Sequence, residues 1–440
     1  MLFASRLRDT FPFFYGWIVV AASSTVVFAR MAPAITTLTV LIFPISEQLG
    51  WSRTLIAGSV SAGAIASLVL SPVVGWAIDR FGARPVLVVG VLALGVAMLS
   101  LAWATIPLTF YIAFASARVV FHTSAPIGSS TVASRWFIRK RGQAIGVIFL
   151  IGAVGGIAYT MVASLVVESY GLKTTWIVIG LMVLAISVAP SLFLVAERPE
   201  DVGLLPDGDG PEVPTDQRET PILNVSGLEQ TRLSERDTDS WLLGEATRSG
   251  TFWLLVFIGF VCYFVHTSIG VHMGAYFRDI GLGPTSAALA VSVSWIVSAV
   301  GSLAWGWITD RIQVRYAYCG MFVFQASSAL FLMLAGGTGG VFLASALVGV
   351  VSAGSNVVPS VIYANYFGRS SLGKIRGLGE IGVLLGQATG PVIAGVLFSL
   401  QGGYGTIFIV FVVLALGCSL WVLKAKPPVR CTLRPAVSHA

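Results

Sequence analysis

Three charged side chains occur well inside long apolar stretches of this 440-residue sequence, and their types suggest a binding chemistry. Arg30 and Arg118 are basic, whereas Glu380 is acidic. A charge inside an apolar stretch is costly, so it needs a partner or a function. Two arginines against one acid leave a positive excess, and a guanidinium can bind a carboxylate through two hydrogen bonds. The pattern predicts a site for a small organic anion that includes Arg30 and Arg118.

Polar and aromatic residues in the same stretches extend this candidate site. The candidate substrate-binding residues are Arg30, Arg118, His122, Tyr263, His266, Trp295, Asn356 and Tyr363. A histidine can carry a proton near neutral pH, and His122 follows Arg118 by one helical turn on the same face. The candidates for proton coupling are Arg118, His122 and Glu380. The alternative for each polar residue is a hydrogen bond between helices that serves packing alone.

Membrane-spanning helices are the elements that would position these residues. Charged residues make up 11% of the chain, whereas a soluble domain carries about 25%, so lipid must cover much of the surface. A spanning helix needs about 20 apolar residues. Twelve such stretches, here called spans one to twelve, are Tyr15–Phe43, Thr54–Ile78, Pro85–Thr105, Leu108–Ser134, Gln143–Val167, Thr174–Val195, Thr251–Phe277, Thr285–Ile308, Tyr316–Ala335, Val341–Tyr366, Ile375–Leu400 and Tyr404–Leu423. The predicted fold class is an all-α membrane protein with twelve transmembrane helices.

One long polar segment divides the spans into two groups of six. It holds most of the acidic residues of the chain, and Pro199, Pro206, Pro214 and Pro221 interrupt its first half, which favours an irregular linker. We therefore expect an N-terminal six-helix bundle over 1–196, a cytoplasmic linker over 197–248 and a C-terminal six-helix bundle with a short cytoplasmic tail over 249–440.

The distribution of Lys and Arg predicts the orientation. If the N-terminus is cytoplasmic, the cytoplasmic loops and tails hold 22 of the 27 basic residues, and the opposite loops hold only Arg53, Lys173 and Arg278. An excess of basic residues is typical of cytoplasmic loops. An even number of spans then predicts that both termini are cytoplasmic in a multi-pass protein of the cytoplasmic (inner) membrane.

The two halves repeat each other in sequence. A pattern in the loop after span two recurs with the same internal spacing in the loop after span eight, as Gly75, Asp79, Arg80, Arg84 and then Gly306, Asp310, Arg311, Arg315. A second landmark, Arg141-Gly142 after span four, recurs after span ten as Arg376-Gly377, at a nearly equal interval along the chain. The two similar intervals predict an internal duplication.

The loop after span two resembles the signature G-x-x-x-D-R-x-G-x-R of the major facilitator superfamily. The signature positions here are Gly75, Asp79, Arg80, Gly82 and Arg84, and the repeat supplies Gly306, Asp310, Arg311 and Arg315. The resemblance implies two six-helix bundles, a central cavity lined largely by spans one, four, seven and ten, and loops that act as a conformational latch.

In such a latch we expect the Asp to accept hydrogen bonds at a helix N-terminus and the arginines to pair across the two halves. The alternative is that the arginines only anchor the loops by their charge. Glu380 lies near the cytoplasmic end of span eleven. An alternative for this residue is pairing with Arg80 or Arg84.

Further motifs resemble the bacterial branch related to monocarboxylate transporters and oxalate/formate exchangers. They are Phe14-Tyr15-Gly16-Trp17, Gly50-Trp51-Ser52-Arg53, Trp136-Phe137, Lys140-Arg141-Gly142, Arg198-Pro199-Glu200-Asp201, Glu245 with Arg248, and Phe252-Trp253. This resemblance implies transport of small organic anions, usually carboxylates. The charged binding residues of those families in spans eight and eleven are not carried over, because span eight has serines and Trp295 and span eleven has Glu380.

The function predicted from these features is secondary active transport of a small organic anion, a monocarboxylate, by alternating access with proton symport. The first alternative is an exporter of an apolar or cationic compound, and the second is a non-transporting membrane sensor. The sequence has no phosphate-binding G-x-x-x-x-G-K-[ST] motif and no metal spacing among its four cysteines, which argues against an ATP-driven pump and an enzyme. The expected partners are the anion, protons and the lipid bilayer, with no nucleic acid, cofactor or metal, and with a monomer as the functional unit.

Overall fold

The computed structural model describes residues 13–208, 241–335 and 337–428, which are mostly helical and contain no strand. The centre of the predicted linker, over 209–240, and Cys431 lie outside these residues. The α-helices are α1 Gly16–Ala29, α2 Ile35–Leu49, α3 Arg53–Phe81, α4 Ala83–Ser100, α5 Pro107–His122, α6 Ser124–Trp136, α7 Arg141–Phe193, α8 Leu243–Ala246, α9 Gly250–Asp279, α10 Pro284–Arg311, α11 Val314–Leu334, α12 Gly337–Phe367, α13 Leu372–Gln401 and α14 Gly405–Val422.

These helices supply the twelve spans. Nine of the helices in the described part of the chain are long and apolar enough to cross a membrane. One of them, α7, contains both span five and span six, which meet at Gly171, where a φ of 78° interrupts the helix. Spans one and four are each divided into two shorter helices, α1 with α2 and α5 with α6. Spans one and four are therefore each interrupted within the predicted fold.

Prolines account for both divided spans. Pro33 lies in the break between α1 and α2, and Pro126 lies in the first turn of α6. Proline lacks the N–H that would bond to the carbonyl four residues earlier, and its ring clashes with that carbonyl. The breaks fall at Arg30 in span one and directly after His122 in span four. The interruptions therefore lie beside the charged residues that the sequence singled out.

Two pairs of long helices join the two halves. Helix α3 (span two) packs against α13 (span eleven), and α7 (through span five) packs against α10 (span eight). At both crossings glycines bring the backbones together. A Cβ atom added at Gly75 would lie 2.3 Å from the carbonyl oxygen of Gly373, and one added at Gly306 would lie 2.4 Å from that of Gly142. A larger residue at these positions would push the two halves apart.

In the structure, the two halves of the internal repeat align with one constant interval along the chain. The interval along the chain from Gly75 to Gly306 equals the interval between their contact partners, from Gly142 to Gly373. The prediction that Gly142 corresponds to Gly377 is therefore wrong, and the error is about one helical turn. This prediction failed because the Arg-Gly dipeptide lies one helical turn further into span eleven than into span five.

We call the side of the membrane domain that carries both ends of the described chain the terminal face. Tyr15 donates to the carbonyl oxygen of Leu194 at 3.0 Å, and Thr251 donates to that of Lys426 at 3.2 Å, so that the first and last spans of each half end together there.

The described start of the linker is bound to the terminal face of the first half. The carboxylate of Glu197 accepts hydrogen bonds from the N–H groups of Ala83 and Arg84, at 2.7 and 3.2 Å. Asp207, with a φ of 61°, accepts from the N–H groups of Ile138 and the next residue, both at 3.0 Å. The limits 1–196, 197–248 and 249–440 remain predictions.

Candidate functional site

Two buried arginines lie at the two helix breaks, and each reaches across to the other break. Arg30 Nη1 donates to the carbonyl oxygen of Phe121, in the last turn of α5, at 3.2 Å. Arg118 Nη1 donates to the carbonyl oxygen of Pro33, in the break of span one, at 3.4 Å. The last carbonyl groups of a helix lack partners within that helix. The two breaks therefore supply acceptors for the two cations.

Helix α3 makes the space that Arg118 occupies. A Cβ atom added at Gly63 would lie 2.5 Å from the Cβ and 2.7 Å from the Cγ of Arg118. Ser67, one turn further along α3, donates to the carbonyl oxygen of Arg118 at 3.3 Å. Span two thus fixes both the backbone and the side-chain stem of this arginine.

Neither guanidinium pairs with a carboxylate of the described residues at 4.0 Å or less. Arg30 and Arg118 expose only 9% and 4% of their surface, and their Nε atoms have no hydrogen-bond partner. The Phe121 ring centroid lies 5.0 Å from Arg30 Cζ and 4.6 Å from Arg118 Cζ, and the Phe149 centroid lies 5.5 Å from Arg30 Cζ. Cation–π attraction to these rings offsets part of the desolvation cost without neutralising the charge.

His122 completes this cluster in the first half. Its Nε2 atom lies 2.9 Å from Arg118 Nη2. A guanidinium has no acceptor atom, so Arg118 donates and His122 Nε2 accepts. The contact therefore requires the neutral imidazole with its proton on Nδ1. The predicted placement of the two side chains on one face of span four agrees with this contact.

Glu380 of span eleven lies within electrostatic range of the cluster. This half-buried carboxylate interacts electrostatically with Arg376, one turn earlier in α13, and with Arg30 of the first half. Tyr263 of span seven and Tyr363 of span ten both interact with the Glu380 charge. Within the described part of the chain, no ion pair joins Glu380 to Arg80 or Arg84, the alternative partners.

Arg376 is a residue of this region that the sequence analysis counted only as a basic loop residue. It exposes 6% of its surface, and its guanidinium donates to the Ser130 hydroxyl in α6, across the boundary between the halves. Its spacing of four residues from Glu380 was the signal that could have found it, since residues four apart share a helix face.

The contacts seen for four other predicted binding residues lie within the second half. Tyr263 donates to a carbonyl oxygen of span ten at 3.3 Å, and the His266 ring lies edge-on to Tyr263 with centroids 6.0 Å apart. Asn356 donates to the carbonyl oxygen one turn earlier in its own helix at 2.9 Å, which is not the bond between helices that the packing alternative predicts. Trp295 is partly buried against the apolar core. In the described part of the chain, no group of three or more His, Cys, Asp or Glu side chains is placed to hold a metal ion.

Two carboxylates join the halves at the terminal face. Asp79, near the end of α3, accepts hydrogen bonds from the N–H groups of Gly373 and the next residue, at 3.0 and 2.7 Å. Asp310, near the end of α10, accepts from the N–H groups of Gly142 and the next residue, at 2.6 and 2.9 Å. Each carboxylate thus lies at the N-terminus of a helix of the other half, where free N–H groups and the helix dipole favour negative charge.

The signature arginines with described contacts do not pair across the halves, contrary to expectation. Arg84 donates to the carbonyl oxygen of Leu192 in its own half, the Arg311 guanidinium lies over the Trp307 ring at 4.0 Å, and Arg315 donates to the neighbouring Tyr316 hydroxyl at 3.1 Å. Arginines outside the signature bond across the halves instead: Arg141 to Asn365, Arg369 to the carbonyl of Arg135, and Arg376 to Ser130. Arg135 also pairs with Asp79 at 3.6 Å and with Glu197, a network the sequence analysis missed.

Comparison with protein families gives one match over most of the chain. The family described as Major Facilitator Superfamily matches residues 19–283 and 255–438. The chain is similar to human Monocarboxylate transporter 11, with 25% identity over 366 residues that cover 80% of this chain and 70% of that protein. It is also similar to the Gallate transporter of Pseudomonas putida, with 23% identity over 420 residues that cover 89% of this chain and 88% of that protein.

Solved structures share the fold at low sequence identity. The proton:xylose symporter XylE bound to 6-bromo-6-deoxy-D-glucose has a TM-score of 0.74 and 14% identity, covering 93% of this chain and 95% of that one. FucP in the outward conformation has a TM-score of 0.69 and 11% identity, covering 94% of this chain and all of that one. These similarities establish the architecture alone.

Proposed function

This chain belongs to the Major Facilitator Superfamily, and we propose that it carries a small organic monocarboxylate across the cytoplasmic membrane by alternating access, together with protons. The family and the fold identify a multi-pass membrane transporter rather than an enzyme. The further parts of the proposal are both termini in the cytoplasm, a monomer as the functional unit, and bundles over 1–196 and 249–440 joined by a linker over 197–248.

The observation that carries the anion assignment is the burial and the hydrogen bonding of Arg30 and Arg118. Both are buried, and both bond only to neutral acceptors among the described residues. A buried cation without an acidic partner is costly, and the opposite charge of a ligand relieves that cost. A carboxylate matches the fork of a guanidinium in shape as well as in charge.

The similar proteins support the same substrate class. One is named for monocarboxylate transport, and the other is named for gallate, which is itself a carboxylate. The aromatic rings of Phe121 and Phe149 beside the cations would suit an organic acid with an apolar or aromatic body.

During alternating access, contacts between the halves on one side of the membrane would break while contacts on the other side form. The carboxylates of Asp79 and Asp310 accept hydrogen bonds across the two halves at the terminal face. We propose that these two residues form the latch, and that its release opens the site to the terminal face, which would be the cytoplasmic side. The anion would bind to Arg30 with the latch closed and leave with it open.

The experiment that tests the proposal is uptake of radiolabelled lactate, benzoate and gallate into proteoliposomes, with the wild type beside Arg30→Ala. We expect uptake of at least one acid by the wild type and a loss of roughly tenfold or more in Arg30→Ala, because a charge-assisted hydrogen bond is worth about 1.5–3 kcal/mol. Arg278→Ala is the matched control, since Arg278 is exposed at the far end of α9.

Two results would contradict the assignment. Absence of uptake of all three acids by folded, reconstituted wild-type protein would remove these carboxylates as substrates. Transport of an apolar or cationic compound that is unchanged in Arg30→Ala would favour the efflux alternative.

A further inference from the structure

Two further buried arginines lie at the boundary of the halves, on the side of the terminal face. Arg141 exposes 5% of its surface, and Arg376 exposes 6%. Arg141 is the first residue of α7, whereas Arg376 is the fifth residue of α13. The two helices begin at equivalent positions of the internal repeat, since Gly142 matches Gly373. Arg376 therefore lies about 6 Å deeper in the molecule than Arg141.

Helix α6 of span four contacts both of these arginines, and every residue of α6 is buried. The Arg376 guanidinium donates to the Ser130 hydroxyl, and Arg141 Nη2 donates to the carbonyl oxygen of Ser134 at 3.3 Å. Ser130 and Ser134 are four residues apart, so they share a face of the helix and lie about 6 Å apart along it. The two guanidinium groups thus reach the same short stretch of α6, one from each half of the molecule.

Neutral groups accept the hydrogen bonds that these two arginines make to described residues. Besides its bond to Ser134, Arg141 donates to the carbonyl oxygen of Phe137 at 3.3 Å and, across the halves, to the side-chain oxygen of Asn365. The Ser134 hydroxyl beside Arg141 is buried and has no hydrogen-bond partner. A buried cation bonded to neutral acceptors and a buried donor without an acceptor are both costly, and an anionic ligand would relieve both costs.

The acidic side chains of the neighbourhood leave room for such a ligand. Asp207 and Asp310 act on Arg141 electrostatically, but each carboxylate already accepts two backbone N–H groups. Glu380, one turn further along α13, acts on Arg376 in the same way. None of these three carboxylates lies within 4.0 Å of either guanidinium. A ligand carboxylate that forms direct hydrogen bonds would come closer than any of them.

We propose, on the basis of the proposed function, that Arg141 and Arg376 form a second binding site for the transported carboxylate, between the central site and the terminal face. Their bonds to Asn365 and Ser130 join the halves, so separation of the halves at this face frees both guanidinium groups. One carboxylate then replaces these two neutral acceptors, and the Ser134 hydroxyl donates a further hydrogen bond to it. The anion thus moves between the central site and the terminal face in two short steps, and while it is bound here it keeps the halves apart.

The test is equilibrium binding of a radiolabelled acid, the one of the panel that the wild type transports, to purified protein in detergent. We expect two acids per chain at saturation in the wild type and one in Arg376→Gln. Arg30→Ala should also bind one acid, because it loses only the central site. In the double variant the remaining affinity should fall at least about tenfold. Lys140→Gln is the matched control, because Lys140 is exposed beside Arg141 and carries the same charge.

Ser130→Ala separates anion binding from a purely structural role of Arg376. It removes the same hydrogen bond between the halves but leaves the guanidinium in place. If Arg376 binds the anion, Ser130→Ala should keep two acids per chain with equal or higher affinity, because a competing acceptor is gone. If Arg376 only ties the halves together, Ser130→Ala and Arg376→Gln should change binding in the same way.

One acid per chain in the wild type, bound with unchanged affinity by Arg376→Gln, would overturn the proposal and leave the proposed function intact. One acid per chain that both Arg30→Ala and Arg376→Gln weaken would also overturn it, because Arg376 would then belong to the central site. The wild-type stoichiometry needs no variant, so it decides the matter even if Arg376→Gln fails to fold. Absence of any bound acid in the wild type would instead reject the proposed function.

Discussion

At the scale of single residues, the acceptors around Arg30 and Arg118 explain how a cation can be buried and still be available. Both arginines donate to backbone carbonyl oxygens, at 3.2 and 3.4 Å. A carbonyl satisfies part of the hydrogen-bonding capacity of a guanidinium but leaves its charge in place. An incoming carboxylate would therefore replace a weak acceptor and would not have to separate an ion pair, which would cost several kcal/mol.

The role of Arg118 can be tested without removing any charged group, by a substitution at Gly63 beside its side chain. Gly63→Ala would put a Cβ atom 2.5 Å from Arg118 Cβ, so the arginine must shift from its present position. We expect KM to rise roughly tenfold, the equivalent of one weakened charge-assisted hydrogen bond. Uptake kinetics in proteoliposomes measure this change.

The control for this substitution is Gly274→Ala in α9, where an added Cβ has no neighbour within 4 Å. Alanine is the better helix former at both positions, so helix propensity alone predicts the same small gain in stability for both variants. An unchanged KM in Gly63→Ala would mean that the position of Arg118 does not matter for binding.

At the scale of helices, the divided spans one and four set the geometry of the site. A broken helix in a transporter exposes backbone groups at the depth where the substrate binds. Here each break supplies the carbonyl that receives the arginine of the other span. The pair of breaks thus acts as one unit, and a change in either span should be felt by both arginines.

Removing the helix break in span four should raise the stability of the protein and lower its transport rate. Pro126→Ala restores the N–H that can bond to the His122 carbonyl, and proline inside a helix costs about 3 kcal/mol relative to alanine. We expect a higher melting temperature, because α5 and α6 can join, and transport lowered at least about tenfold, because Arg118 and His122 turn away from Arg30. Thermal unfolding in detergent and uptake in proteoliposomes measure the two effects.

Pro190→Ala, inside α7 and away from the arginines, should raise stability without loss of transport. Equal transport by Pro126→Ala and the wild type would mean that the break in span four has no part in the cycle.

The sequence predicted the spans well and their interruptions poorly. Length and hydropathy suffice to find twelve apolar segments, because every span must cover the same thickness of lipid. The break at Pro126 was missed because a proline in a spanning helix can also be accommodated by a kink, and only packing decides between the two. Arg376 was assigned to a loop because the apolar stretch of span eleven begins beside it, whereas the helix begins at Leu372.

At the scale of the whole molecule, we propose that two equivalent latches act on one opening. Asp79 and Asp310 occupy equivalent positions of the internal repeat, and each accepts two N–H groups of the opposite half. Because opening of the terminal face must break both sets of bonds, their contributions should add in free energy. The sequence predicted the aspartates at helix N-termini but not which helices, because partners so distant along the chain cannot be read from a loop motif.

We expect Asp79→Asn and Asp310→Asn each to raise the population open at the terminal face by roughly tenfold, and the double variant by more than either. Distances between spin labels on Phe81→Cys and Ile312→Cys, both exposed beside the latches, measure this population in a background without the native cysteines. Closed-state distances that persist in the double variant would mean that other contacts hold the face shut.

A larger side chain between the halves should also increase the population that is open at the terminal face, through a steric clash. Gly306→Ala would put a Cβ atom 2.4 Å from the Gly142 carbonyl oxygen, so the closed packing of α7 on α10 must loosen. We expect the same pair of labels to report an increased open population, with both aspartates intact. Gly417→Ala in α14, which has open space around it, should leave the distances unchanged.

The latches have donors that no side-chain substitution can remove, since they are backbone N–H groups. In a saturation screen for growth on a transported acid, tolerance should therefore be sharply uneven along these contacts. Lys374 should accept most residues, because its main-chain N–H makes the hydrogen bond to Asp79. Gln143 should be more restricted, because its side chain also hydrogen-bonds to Asp310. Gly142 and Gly373 should reject all larger residues on steric grounds, and the two aspartates should reject even asparagine. Such a profile would record, in genetic terms, which atoms hold the two halves together.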